Sequence, residues 1–107
     1  MDQGIPMGTW NRYFCRKCPY EAFVSGGNDV GMAAATSTVR CYDCQEIKDV
    51  VTTEEPWLAM DKDWVPTEFY CDKSKAHRTE LWNHPRKCPK CDRSIIVDKD
   101  FSPIMWD

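Results

Sequence analysis

The sequence predicts a small β protein in two lobes, each built on short β-hairpins and held together by more than its apolar core. Three cysteine pairs share one spacing, at Cys15–Cys18, Cys41–Cys44 and Cys88–Cys91. Between them, short runs rich in Val, Ile, Thr and aromatic residues are broken by Gly, Asn, Asp and Pro, which is strand and turn chemistry. The chain has 107 residues, a length at which folding buries only about 60 to 65% of the unfolded surface and leaves little stability to spare.

Trp10 to Phe14 is a strand candidate leading into the first cysteine pair. After that pair, Tyr20 to Ser25 alternates large apolar and other residues. Gly26-Gly27-Asn28-Asp29 then supplies strong hairpin chemistry. Ala33 to Arg40 ends in Thr36-Ser37-Thr38-Val39-Arg40, where Thr and Val favour a strand. The expected arrangement is therefore a hairpin running from the first cysteine pair to the second. Glu46 to Thr52 adds a further strand candidate.

Thr53 to Pro66 is an acidic connector carrying Trp57, Leu58 and Trp64. Thr53 is placed to cap a single helical turn, Pro56 suits its start, and Pro66 prevents a longer helix. A free linker would be polar or rich in Gly and Ser, so this segment is expected to pack onto one or both lobes. The second half repeats the plan: Glu68-Phe69-Tyr70 enters Cys71, and Arg78 to Trp82 suits a short strand. Asn83-His84-Pro85-Arg86 suits a turn, and Ile95-Ile96-Val97 is the most β-prone run in the chain. The apolar tail from Phe101 to Trp106 is expected to cover a lobe. The predicted division is a first lobe over 1–52, a connector over 53–66 and a second lobe over 67–107.

The start Met1-Asp2-Gln3-Gly4 has neither the basic residues nor the apolar stretch of a secretion signal, and no run of about 18 apolar residues would span a bilayer. The expected location is a reducing cytoplasm, with no membrane contact. There, seven cysteines are better read as metal ligands than as disulfides. A Cys-x-x-Cys turn aims two sulfurs at one point, which is half of a tetrahedral site. Taken in chain order, the first site is Cys15, Cys18, Cys41 and Cys44. The second is Cys71, Cys88 and Cys91 with a histidine. His77, six residues after Cys71, is favoured over His84, which would have to fold back from a turn. A cross-braced pairing, first turn with third and second with fourth, is the alternative. The hairpin signal between Cys18 and Cys41 and the long gap from Cys44 to Cys71 favour the sequential one.

Phe14-Cys15-Arg16-Lys17-Cys18-Pro19 with Cys41-Tyr42-Asp43-Cys44, and Lys87-Cys88-Pro89-Lys90-Cys91, resemble the zinc-ribbon superfamily, which includes rubredoxin-like proteins. The resemblance implies zinc-ribbon lobes with one Zn2+ held between two cysteine turns, hence two zinc ions here, with iron as the other occupant of a four-cysteine site. Such turns commonly place Gly after the second cysteine, in a left-handed conformation. Here those positions hold Pro19, Gln45 and Asp92, of which only Asp92 tolerates that conformation at modest cost and Pro19 cannot adopt it.

Sites closed by four protein ligands are structural rather than catalytic. No His-Glu-x-x-His, no Ser-His-Asp spacing and no phosphate-binding glycine loop occurs, so the chain reads as non-enzymatic. Its 14 Lys and Arg against 17 Asp and Glu make a formal charge of −3. Seven thiolates with two divalent ions lower this to about −6. That disfavours nucleic acid, although the bases around the first and third turns, interleaved with Tyr13, Phe14 and Trp82, could form a stacking patch. The expectation is a protein-interaction or adaptor module. At least three of the five tryptophans are expected to act as core filler, with Trp57 and Trp64 the candidates to meet a partner.

Overall fold

The computed structural model describes residues 8–31, 34–61, 63–83 and 86–106. The start of the predicted 33–40 strand, His84 and Pro85 of the predicted turn, and the first residues lie outside that set. Eight strands are found among the described residues: β1 (Gly8–Cys15), β2 (Glu21–Val24), β3 (Asp29–Val30), β4 (Ala35–Cys41), β5 (Glu46–Thr53), β6 (Thr79–Leu81), β7 (Ile95–Val97) and β8 (Ile104–Trp106). One 3-10 turn, Pro56–Met60, supplies the helix expected in the connector. Its cap differs from expectation: Glu55 stands at the cap position with no side-chain bond, while the Thr53 hydroxyl instead accepts from the Glu55 amide at 3.0 Å.

The strands form two antiparallel four-stranded sheets, centred on β1 and on β4. The expected hairpin from the first cysteine pair to the second does not form. β2 pairs back onto β1, Phe14 opposite Glu21 and Asn11 opposite Val24, whereas β4 pairs with β5 along its whole length. The physical reason is that each Cys-x-x-Cys segment is itself a reversal, so the strands flanking one cysteine pair are already neighbours. The signal over 26–29 marks a different turn, into the two-residue β3. There Gly26 adopts φ +92°, and a Cβ on it would collide with the Tyr13 hydroxyl.

The predicted division at residues 52 and 67 does not follow the strand pairing. β7 and β8, from the end of the chain, pair with the two ends of β1: Cys15 lies opposite Ile95 and Gly8 opposite Trp106. β6 pairs with β4, Cys41 opposite Thr79. The two chain ends thus build one sheet and the middle builds the other. Trp106 packs flat over Gly8 and stacks on Trp10 with centroids 6.4 Å apart, so the apolar tail does cover part of the molecule.

Burial explains the strand compositions. β2 alternates exposed and buried, with Ala22 and Val24 inward. β4 is buried on both faces from Ala35 to Val39; the hydroxyls of Ser37 and Thr38 form internal bonds, whereas that of Thr36 is buried without a partner among the described residues. The Ser37 hydroxyl donates to Asn28 Oδ1 at 2.6 Å, and Thr38 donates to Asp49 while accepting from the Gly26 amide. The core joins the sheets through Tyr13, Ala22, Val24, Ile47, Trp82 and Ile95, together with Cys15 and Cys88. Trp82 is only 3% exposed; it meets Tyr13 edge to face at 5.1 Å and donates its indole N–H to the Lys87 carbonyl at 3.0 Å. Across the join, the Ile47 amide donates to the Tyr20 hydroxyl at 2.8 Å. No helix among the described residues is long and apolar enough to cross a membrane.

Candidate metal centres

All eight residues singled out from the sequence fall into two groups of four, and in each group the ligand atoms lie within 4.8 Å of one another. The grouping is neither sequential nor cross-braced. Cys15 and Cys18 join Cys88 and Cys91; Cys41 and Cys44 join Cys71 and His77. The expected first site of Cys15, Cys18, Cys41 and Cys44 is therefore corrected, as is the expected pairing of Cys71 and His77 with Cys88 and Cys91. The sites are nested, the outer turns making one and the inner turns the other. His84 lies outside the described residues.

Strand pairing dictates the nesting. Cys15 ends β1, and β7 lies antiparallel beside it, following directly on the Cys88–Cys91 turn. That turn is closed by the Cys88 amide donating to Arg93 at 2.7 Å and the Asp92 amide to Cys88 at 2.8 Å. Likewise Cys41 ends β4, and β6 beside it follows directly on the Cys71–His77 loop. Two further bonds pin that loop to the second turn: the Tyr42 amide donates to Arg78 at 2.9 Å, and the Arg78 amide donates to Asp43 Oδ2 at 2.6 Å.

The distances suit a tetrahedral ion. Sulfur–sulfur separations are 3.5 Å for Cys15–Cys91, 3.6 Å for Cys18–Cys88 and 3.7 Å for Cys44–Cys71. His77 presents Nδ1, at 3.6 Å from the Cys41 sulfur and 3.5 Å from that of Cys44. Bonds of about 2.3 Å to sulfur set tetrahedral edges of about 3.8 Å, and a nitrogen ligand shortens them slightly. Amides point at sulfur in every turn: those of Lys17, Cys44, Lys73 and Lys90 each lie 3.4 Å from the first cysteine sulfur of their turn. Gln45 at φ 56° and Asp92 at φ 64° both take the left-handed conformation after the second cysteine. Asp92 tolerates this conformation at modest cost; Gln45 does not favour it, and the turn geometry has overridden its preference.

Proton affinities within each group diverge in the way that crowded thiols require. Burial opposes ionisation of Cys15, but the Lys17 and Cys18 amides together with hydrogen bonds from the Cys91 and Cys18 side chains outweigh it and bring its thiol down to about 7. Burial likewise opposes ionisation of Cys71, which the Lys73 amide and His77 bring to about 6. Their neighbours move the other way. Burial raises Cys44 and Cys88, and Cys91 is pushed up to about 12, because the Arg93 amide that favours its thiolate is outweighed by burial and by hydrogen bonds with Cys15, Cys18 and Cys88. Thiols this close cannot all ionise unless a cation sits among them.

Lys48 distinguishes the two groups. Its ammonium lies 3.6 Å from the Cys44 sulfur, 3.5 Å from that of Cys71, and 2.9 Å from Asp72 Oδ1. Burial disfavours this charge, but Asp72 and Cys71 hold its pKa above the usual lysine value. Only 13% of the side chain is exposed. Sequence reading did not single it out, although its place four residues after Cys44 in the strand candidate was visible.

Other proposed contact residues are placed elsewhere. Tyr13 and Trp82 are buried in the core, so neither offers a face for stacking. Arg12 is paired with Glu21 and Asp98, and Arg86 donates to the Gly26 carbonyl at 2.6 Å. No family model, no curated protein and no solved structure matches this chain. The fold and the two clusters define a small all-β protein with two possible metal-binding centres.

Proposed function

We propose that the protein binds two zinc ions as structural elements and acts, without catalysis of its own, as a protein-interaction module of zinc-ribbon type. The observation that carries the metal reading is the convergence of two sets of four Cys or His donors at tetrahedral spacing. Zinc is favoured over iron because one set includes a histidine, a mixed donor set common in structural zinc sites. Four protein ligands per ion leave no position for substrate or activated water, which favours a structural role.

A protein partner is favoured over nucleic acid on three grounds. The formal charge is −3, Tyr13 and Trp82 of the basic patch are buried, and two of its arginines, Arg12 and Arg86, are engaged internally. Native mass spectrometry of protein expressed in medium containing both zinc and iron tests the metal reading. Two zinc ions per chain are expected; a red protein holding iron, or a chain with one ion or none, would contradict it.

A further inference from the structure

We propose that the connector face centred on Trp57 and Met60 docks a basic peptide segment carrying apolar anchors. The inference deepens the interaction reading above by naming a surface and the chemistry of its partner. The 3-10 turn Pro56–Met60 has no buried residue. Side chains three apart on a 3-10 turn eclipse, so Trp57 and Met60 stand on one side of it, 63% and 60% exposed. Leu58, between them in sequence, is also exposed, as are Val51 before the turn and Val65 after it. Large apolar side chains on a turn that buries none of them do little for folding, whereas Trp and Met are the types enriched at interface cores.

The backbone beneath this face is held in place. The Leu58 amide donates to the Glu55 carbonyl and the Trp64 amide to that of Asp61, each at 3.0 Å, while Asn28 Nδ2 donates to the Trp64 carbonyl at 3.2 Å and Pro66 is buried. A surface positioned in advance loses less entropy on binding.

Charge selects the partner. Glu54, Glu55, Asp61 and Asp63 are all exposed around the turn, and Lys62 is the sole basic residue between Thr53 and Pro66. Among the described residues, none of these four carboxylates forms an ion pair. An apolar centre within an acidic rim is complementary to Lys or Arg flanking Leu, Phe or Trp, and repels phosphate backbones and anionic membranes.

The test uses the full metal-loaded chain and three synthetic helical peptides: Leu/Lys amphipathic, Leu/Glu amphipathic, and Lys/Ser without apolar anchors. Tryptophan fluorescence reads binding, and native mass spectrometry confirms two ions in every variant. The Leu/Lys peptide is expected to bind selectively, about tenfold more weakly to Trp57→Ala and to Met60→Ala, and more weakly to Glu54→Gln/Glu55→Gln. Equal binding to Trp57→Ala and wild type, equal binding of the Lys/Ser peptide, or no binding by any peptide to the two-ion protein would overturn the inference. None of these results touches the metal reading, which fails only on metal content.

Discussion

Cys15 and Cys91 stand 76 residues apart in sequence, yet their sulfurs lie 3.5 Å from each other. That contact closes nearly the whole chain into one loop, with the Cys41, Cys44, Cys71 and His77 site nested inside it. Because Cys15 and Cys88 also sit in the core between Tyr13, Ile95 and Trp82, the outer site and the core should melt together. Cys15→Ser is therefore expected to lose one ion and lower the denaturation midpoint, whereas His77→Ala loses the other ion and leaves the Trp82 environment intact. Near-ultraviolet circular dichroism together with metal counting checks this pair; equal loss of Trp82 signal in both variants would count against it.

Lys48 should set the affinity of the inner site alone. Its ammonium offsets the thiolate charge of Cys44 and Cys71 from within hydrogen-bonding distance. Partners at this remove from a metal are worth about 10- to 100-fold in affinity. Lys48→Met is expected to weaken one site by about that range and leave the other unchanged in a chelator competition. A uniform effect on both ions would show that Lys48 acts only through overall stability.

Metal uptake should release protons. Without metal, Cys91 titrates near 12, so it is protonated at neutral pH, whereas Cys71, near 6, and Cys15, near 7, are wholly or partly ionised. Bound sulfur must be thiolate, so the metal-bound state carries fewer protons and raising the pH favours binding. Affinity should fall steadily as pH is lowered from 8 to 6. Calorimetric titration in two buffers of different ionisation enthalpy measures the protons released, and no difference between the buffers would contradict the assignment.

Gly26 and Trp82 locate the strain and the stability of the core. At φ +92°, with Tyr13 against its α-carbon, Gly26→Ala is expected to cost about 1 to 3 kcal/mol. Trp82→Ala removes the ring that Tyr13 packs against and should cost about 3 to 5 kcal/mol. Urea unfolding of the metal-loaded protein measures both. A Gly26→Ala midpoint equal to that of the wild type would mean that Tyr13 yields without cost.

The ligand-bearing turns were legible because Cys-x-x-Cys is a local signal, and the all-β class because strand and turn chemistry is local too. The partnering of the turns was not local. It depends on which edge of β1 and β4 each later strand joins, and three-residue strands such as β6 and β7 carry too little pattern to reveal that. The Gly26 to Asp29 signal suits the tip of a long hairpin as well as the entry to β3, and nothing in it distinguishes the two. Gln45 shows the same limit from the other side: its preference argued against a left-handed turn, and the ligand geometry of Cys44 imposed one. Tyr13 and Trp82, grouped with basic residues in the sequence, became core residues because the sheets close over them.

The nested pairing of the cysteine turns is the central claim, and metal counting in double variants tests it most directly. Cys18→Ser/Cys88→Ser removes two ligands from the same site and should retain one ion by native mass spectrometry, whereas Cys18→Ser/Cys44→Ser strikes both sites and should retain none. The reverse result, no ion in the first and one in the second, would contradict the nesting and restore a sequential arrangement.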